Sequence, residues 1–236
     1  MRKWILLTIT VLLGLSLAVA VIQPSIANAT GNIVVQNIPG PSVAQQLTTR
    51  ALTSWPWYLV RASGIIAAIS LVILMLSGIG SVTGHTFRFL EPITAWASHK
   101  ALGIVFGISV LIHMIGLLFD HFVPFDIPSL LVPWLSNYKP VTIFGMQLGS
   151  LFVALGVLAF YGVALVVISS LLWIEKKPFL WKIAHLLSYV VMIFVFIHAL
   201  YLGTDLSTGI WRWLWIAIGG GVAIAVVARL WRAKTI

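Results

Sequence analysis

Four histidines stand at matched positions in two long apolar stretches, His99 and His113 in one and His185 and His198 in the other. Histidine is costly inside a bilayer and rare there without a task. His99 and His113 are 14 residues apart, about 21 Å along an α-helix, and His185 and His198 are 13 apart, about 20 Å. If the stretches cross the membrane in the same direction, His99 lies level with His185, and His113 with His198. Two neutral imidazoles on opposite sides of a porphyrin iron give a six-coordinate centre that passes single electrons. The pattern therefore reads as two stacked bis-histidine haem sites.

The rotational fit differs between the two stretches. Fourteen steps of about 100° bring His113 back to within about 40° of His99, whereas thirteen steps leave His198 about 140° round from His185. A tilt, a local bulge or approach from different sides must absorb that difference. The plainer alternative is four polar residues at helix ends, bonded to neighbouring helices or headgroups. That alternative serves for one histidine better than for four at matched depths. His85 and His121 fall in predicted loops and have no matching partner. Zinc is the weaker metal, since a site with two histidines lacks the further ligands zinc takes.

The stretches that position these residues are membrane spans. Of the 236 residues 61% are hydrophobic and only 8% charged, against roughly 25% charged in a soluble domain. The mean hydropathy is +1.09. The chain reads as an all-α, polytopic transmembrane helical bundle with six predicted spans, or five if the N-terminal segment is cleaved. Residues 1–29 form either a signal peptide with an Ala27-Asn28-Ala29 site or a first transmembrane helix. Residues 30–54 are polar and predict an exposed loop. Trp55-Pro56-Trp57-Tyr58 then supplies an interfacial anchor, and the membrane domain occupies residues 55–231. Its predicted spans cover about residues 58–80, 95–119, 144–173, 179–202 and 211–231, with the haems between the third and fifth spans of the six. Residues 127–134 are apolar but too short to cross, so an interfacial or re-entrant piece is expected. Residues 232–236 form a short tail.

The net charge of +9 would suggest nucleic acid in a soluble protein. Here the basic residues sit in short connections, where they set topology and meet anionic headgroups, and no nucleic-acid role is expected. With the C-terminus cytoplasmic, ten of the 14 Lys and Arg residues fall on the inner side. His99 and His185 are then near the cytoplasmic face and His113 and His198 near the outer face. With no cysteine, iron–sulfur clusters, thiolate zinc and covalent haem attachment are excluded. Arg61 lies at outer-haem depth, where positive-inside bias gives no reason for it, and is a candidate partner for a haem propionate. Lys100 and Lys182, at inner-haem depth, read instead as side chains snorkelling to the interface.

Over about residues 55–230 the sequence resembles the ferric reductase-like transmembrane domain family, grouped with ferric reductases and NADPH oxidases. The resemblance rests on Val60-Arg61-Ala62-Ser63-Gly64, on Ser98-His99-Lys100 with His113, on Tyr138-Lys139-Pro140, and on His185 with His198. It implies a helical bundle holding two b haems and passing electrons outward across a membrane, as in a bacterial inner or plasma membrane. Two departures shape the expectation. No G-x-G-x-x-G unit is present, so FAD or FMN is expected only on a separate cytoplasmic flavin reductase, with quinol as the other candidate donor. Leu117 stands where NADPH oxidases carry a further histidine, which weighs against superoxide production. The expected role is the membrane component of an oxidoreductase that delivers electrons to an outer acceptor such as ferric iron. One alternative is the haem subunit of a periplasmic methionine-sulfoxide reductase system. The other is a non-redox transport or structural membrane protein whose histidines relay protons or bind a divalent ion.

Overall fold

The computed structural model describes residues 42–123 and 125–232. The expected signal peptide or first helix (1–29), residues 30–41 of the polar loop and the last four residues lie outside them. Within them, five helical segments are long and apolar enough to cross a membrane: Leu47–Thr83, Pro92–Leu117, Gly149–Leu172, Pro178–Leu202 and Gly209–Trp231. The chain is an all-α integral membrane bundle.

Helix α1 spans Val43–Thr83. Its 41 residues reach about 61 Å, twice the ~30 Å hydrocarbon thickness. Residues 43–54, expected as loop, are helical, with 47–53 exposed. The cause is local: the Ser42 hydroxyl accepts from the Gln45 backbone N–H while the Gln45 side chain accepts from the Ser42 N–H. This reciprocal cap closes a helix start that polar composition alone conceals. Pro56 lies inside the helix, buried, near the point where the chain turns apolar, and Gly84 ends it at φ 77°.

Helix α2, Pro92–Leu117, starts with proline at its first position. The connection that follows carries the five-residue helix α3, Ile127–Leu131, inside the stretch judged too short to span. The Tyr161 hydroxyl donates to the Leu131 carbonyl at 2.6 Å, tying α3 to the next spanning helix. A two-stranded antiparallel hairpin then pairs Thr142–Ile143 (β1) with Met146–Gln147 (β2). Its turn residues Phe144 and Gly145 both have positive φ, 50° and 77°, as a type I′ hairpin requires. Helix α4 therefore begins at Gly149 and runs to Leu172, five residues later than the hydropathy suggested.

The span over Pro178–Leu202 is two helices, α5 (Pro178–Leu186) and α6 (Ser188–Leu202). At the joint, the Leu187 N–H bonds the Ala184 carbonyl at 3.1 Å, an i→i−3 bond. Such a turn advances the chain by about 120° per residue instead of 100°. The break lies between His185 and His198 and rotates the second in the direction the 13-residue spacing lacks. Helix α7, Gly209–Arg232, completes the bundle.

Lipid supplies no hydrophobic drive between helices, so close packing of small residues matters most. A Cβ on Gly219 of α7 would collide with the Phe196 ring of α6, and one on Gly162 of α4 with Val191. Helix α1 packs along α2, and α4 along α6, with α7 against α1. Helix α2, which carries His99 and His113, is packed along neither α5, which carries His185, nor α6, which carries His198. They face across the histidine rings.

Arg212, 1% exposed, donates from Nη1 to the carbonyls of Leu200 and Leu206, both at 3.2 Å, and lies over the Tyr201 ring at 5.5 Å. It satisfies the Leu200 carbonyl in the last turn of α6 and the Leu206 carbonyl in the short 3₁₀ turn that follows. Arg212→Ala is expected to lower stability by about 1–3 kcal/mol, the cost of stranded buried acceptors, as a reduced unfolding temperature in detergent.

Candidate haem-binding histidine pairs

The bundle brings the four histidines together in the pairs expected. The ring centres of His99 and His185 are 6.3 Å apart, and those of His113 and His198 are 6.5 Å apart. With a metal–nitrogen bond of roughly 2.0 Å and the nitrogen about 1.1 Å from its ring centre, a linear imidazole–metal–imidazole unit needs about 6.2 Å. Both pairs meet that spacing.

Which nitrogen faces the gap is fixed by the neighbouring helix. His113 Nδ1–H donates to the Val60 carbonyl of α1 at 2.9 Å, and His198 Nδ1–H donates to the Phe152 carbonyl of α4 at 2.9 Å. A carbonyl can only accept, so Nδ1 carries the proton and Nε2 keeps its lone pair. At the other level Ser77 Oγ is 2.8 Å from His99 Nδ1. The Ser77 hydroxyl donates to the Leu74 carbonyl at 3.0 Å, so it accepts from the imidazole and sets the same tautomer. Outer bonds of this kind orient ligating histidines and raise their basicity. His185 differs. Its Nδ1 is buried with no hydrogen-bond partner among the described residues, and the Trp181 ring lies beside it at 5.3 Å.

Three glycines make room for these rings. A Cβ on Gly78 would lie 3.4 Å from His99, one on Gly64 3.1 Å from His113, and one on Gly156 2.6 Å from His198. Gly64 and Gly78 are 14 residues apart, the spacing of the histidines they accommodate. That repeat is the sequence signal that could have located them. Three glycines of α2 itself differ in role. Gly103 and Gly107 face open space, as a cradle for a flat group requires, whereas Gly116 is filled by Val60. Between the two levels lies a packed apolar layer including Phe106, Leu71, Met192 and Ile193.

Arg61 is engaged within the protein. Its Nε donates to Asp205 Oδ2 at 2.6 Å, its Nη2 pairs with Asp205 Oδ1, and the guanidinium lies 4.9 Å over the Trp57 ring. Sequence reasoning missed Asp205, which is 144 positions away. It also missed Arg229, half-buried on α7, whose guanidinium lies 5.4 Å over the Tyr189 ring. His85 bonds only the neighbouring Thr83 side chain, and His121 joins neither pair.

The residues fit a b haem at each level. Each pair sets two imidazole rings at the spacing such a group requires, and a porphyrin would supply the other four ligands itself. A metal held by protein alone needs more: among the described residues no group of three or more His, Cys, Asp or Glu could hold one. No family model, curated protein or solved structure matches the chain.

Proposed function

We propose that the protein is a di-haem b transmembrane electron conduit. The observation that carries this reading is the pair of histidine ring separations, 6.3 and 6.5 Å, at two depths of one bundle. When bound, each haem supplies a reversible one-electron change without a substrate-binding position on its iron.

The chain's own part is to hold, orient and insulate. Val60, Ser77 and Phe152 fix the ring tautomers of His113, His99 and His198, so that Nε2 is the ligating atom. Gly64, Gly78 and Gly156 let those rings approach the neighbouring backbone. The layer around Phe106 and Met192 keeps water out of the space between the levels. With the C-terminus on the cytoplasmic side, His99/His185 is the inner pair, reached by a flavin reductase or quinol. His113/His198 is the outer pair, serving an acceptor such as ferric iron; Arg61, expected as a propionate contact, is paired with Asp205. This reading places the protein in a bacterial inner or plasma membrane.

The deciding experiment is an absorption spectrum of the purified protein with pyridine haemochrome quantitation. Two b haems per chain are expected. A colourless protein, or one haem that survives loss of any of the four histidines, would sink the reading and favour the non-redox alternative.

A further inference from the structure

The two levels differ in how their cations are balanced. At the His113/His198 end, Arg61 is neutralised by Asp205, the one ion pair among the described residues, and Arg212 is held by carbonyls. At the His99/His185 end, Arg229 meets only the face of Tyr189 and has no carboxylate or carbonyl partner among the described residues. Tyr189 lies just past the α5/α6 joint from His185, which puts Arg229 at the depth of the His99/His185 pair. The same level holds the orphaned His185 Nδ1. Two polar groups there therefore lack an acceptor, and a half-buried cation inside a span is expensive without one.

We propose that Arg229 binds a carboxylate side chain of the haem held by His99 and His185, and so positions that haem and sets its potential apart from that of the outer centre. The proposal rests on the di-haem reading. A guanidinium presents a planar pair of donors that matches a carboxylate, and a dry setting strengthens the pairing. A cation beside a centre favours its reduced form, because reduction adds a negative charge. Removing the cation leaves the carboxylate uncompensated, which acts in the same direction. Lys100 and Lys182 are exposed and fit this role less well, Lys100 lying over the Trp96 ring.

The test is a redox titration followed at the b-haem absorbance, using intact wild-type, Arg229→Gln and Arg229→Lys proteins in nanodiscs of zwitterionic lipid. His198→Ala serves as background to isolate the inner centre. Arg229→Gln is expected to shift the inner reduction equilibrium about tenfold toward the oxidised form, about 59 mV for one electron, and to leave the outer centre in place. Arg229→Lys keeps the charge and should recover most of the shift. Selective loss of the inner haem in Arg229→Gln, restored in Arg229→Lys, also supports the proposal. Full haem content with an unmoved inner midpoint overturns it while leaving the di-haem reading intact. So does a wild-type midpoint that matches the Gln variant until an anionic lipid is added, since the anion is then a headgroup. A wild-type protein without b haem removes both.

Discussion

The His198→Ala protein is expected to bind one b haem per chain instead of two, and the haem retained is the one at His99/His185. The expectation follows from the separation of the two pairs. His113 and His198 face each other at one level, and the layer around Phe106, Leu71, Met192 and Ile193 stands between them and the other pair. Losing one imidazole leaves a centre with a single protein ligand. It also leaves the Phe152 carbonyl without its donor, so the pocket is weakened twice. Neither change touches Ser77, His99 or Trp181. Haemochrome content should fall by half, and the remaining spectrum should keep the low-spin form of a six-coordinate iron. His99→Ala should give the complementary species. Loss of both haems in either variant would mean that the levels are not independent.

The second large effect needs only one carbon. Gly156→Ala is expected to abolish the outer haem nearly as completely as removing His198 does. A Cβ there would lie 2.6 Å from the His198 ring, closer than side-chain atoms pack, and the ring is not free to move. Its Nδ1–H is held by Phe152, one turn before Gly156 on α4, and its Nε2 must meet the gap shared with His113. The alanine forces a choice between the hydrogen bond and the ligand position. The other glycines grade the effect. Gly64→Ala at 3.1 Å from His113 should weaken the outer haem partly, and Gly78→Ala at 3.4 Å from His99 should be tolerated. Haem retention during gel filtration of the three variants, in the order Gly78, Gly64, Gly156, checks the series. Equal retention in all three would show that the rings reposition freely.

The histidines were legible because their spacing survives any detail of packing. Depth along a helix depends only on residue number, and two spans separated by one further span cross the membrane in the same direction. What holds the rings was hidden for physical reasons. Two of the three Nδ1 anchors are backbone carbonyls, Val60 and Phe152, and a carbonyl leaves no trace in residue type. The joint at Leu187 carries neither glycine nor proline, so the break that helps aim His198 had no local marker. Arg61 looked like an unclaimed cation because Asp205 is distant in sequence. The hairpin turn was readable in principle, since Phe144-Gly145 interrupts the run with a residue suited to positive φ. Its apolar neighbours outweighed it. The six-span count extends beyond the described residues, within which five helices meet the length and hydropathy of a span.

Helices α2 and α6 lie farther apart along their backbones than α1 from α2 or α4 from α6, with Phe106, Met192 and Ile193 packed between the histidine levels. A bundle built this way has two well-joined halves and a weaker boundary between them. If each haem bridges that boundary through one ligand from each half, loading and folding become linked equilibria. A ligand at one hundred times its dissociation constant adds about 2.7 kcal/mol to the folded form when only that form binds it. Heat resistance would then track haem supply, and cells short of haem would hold this chain in a form open to proteolysis. The same wall that conducts electrons would act as the protein's quality check.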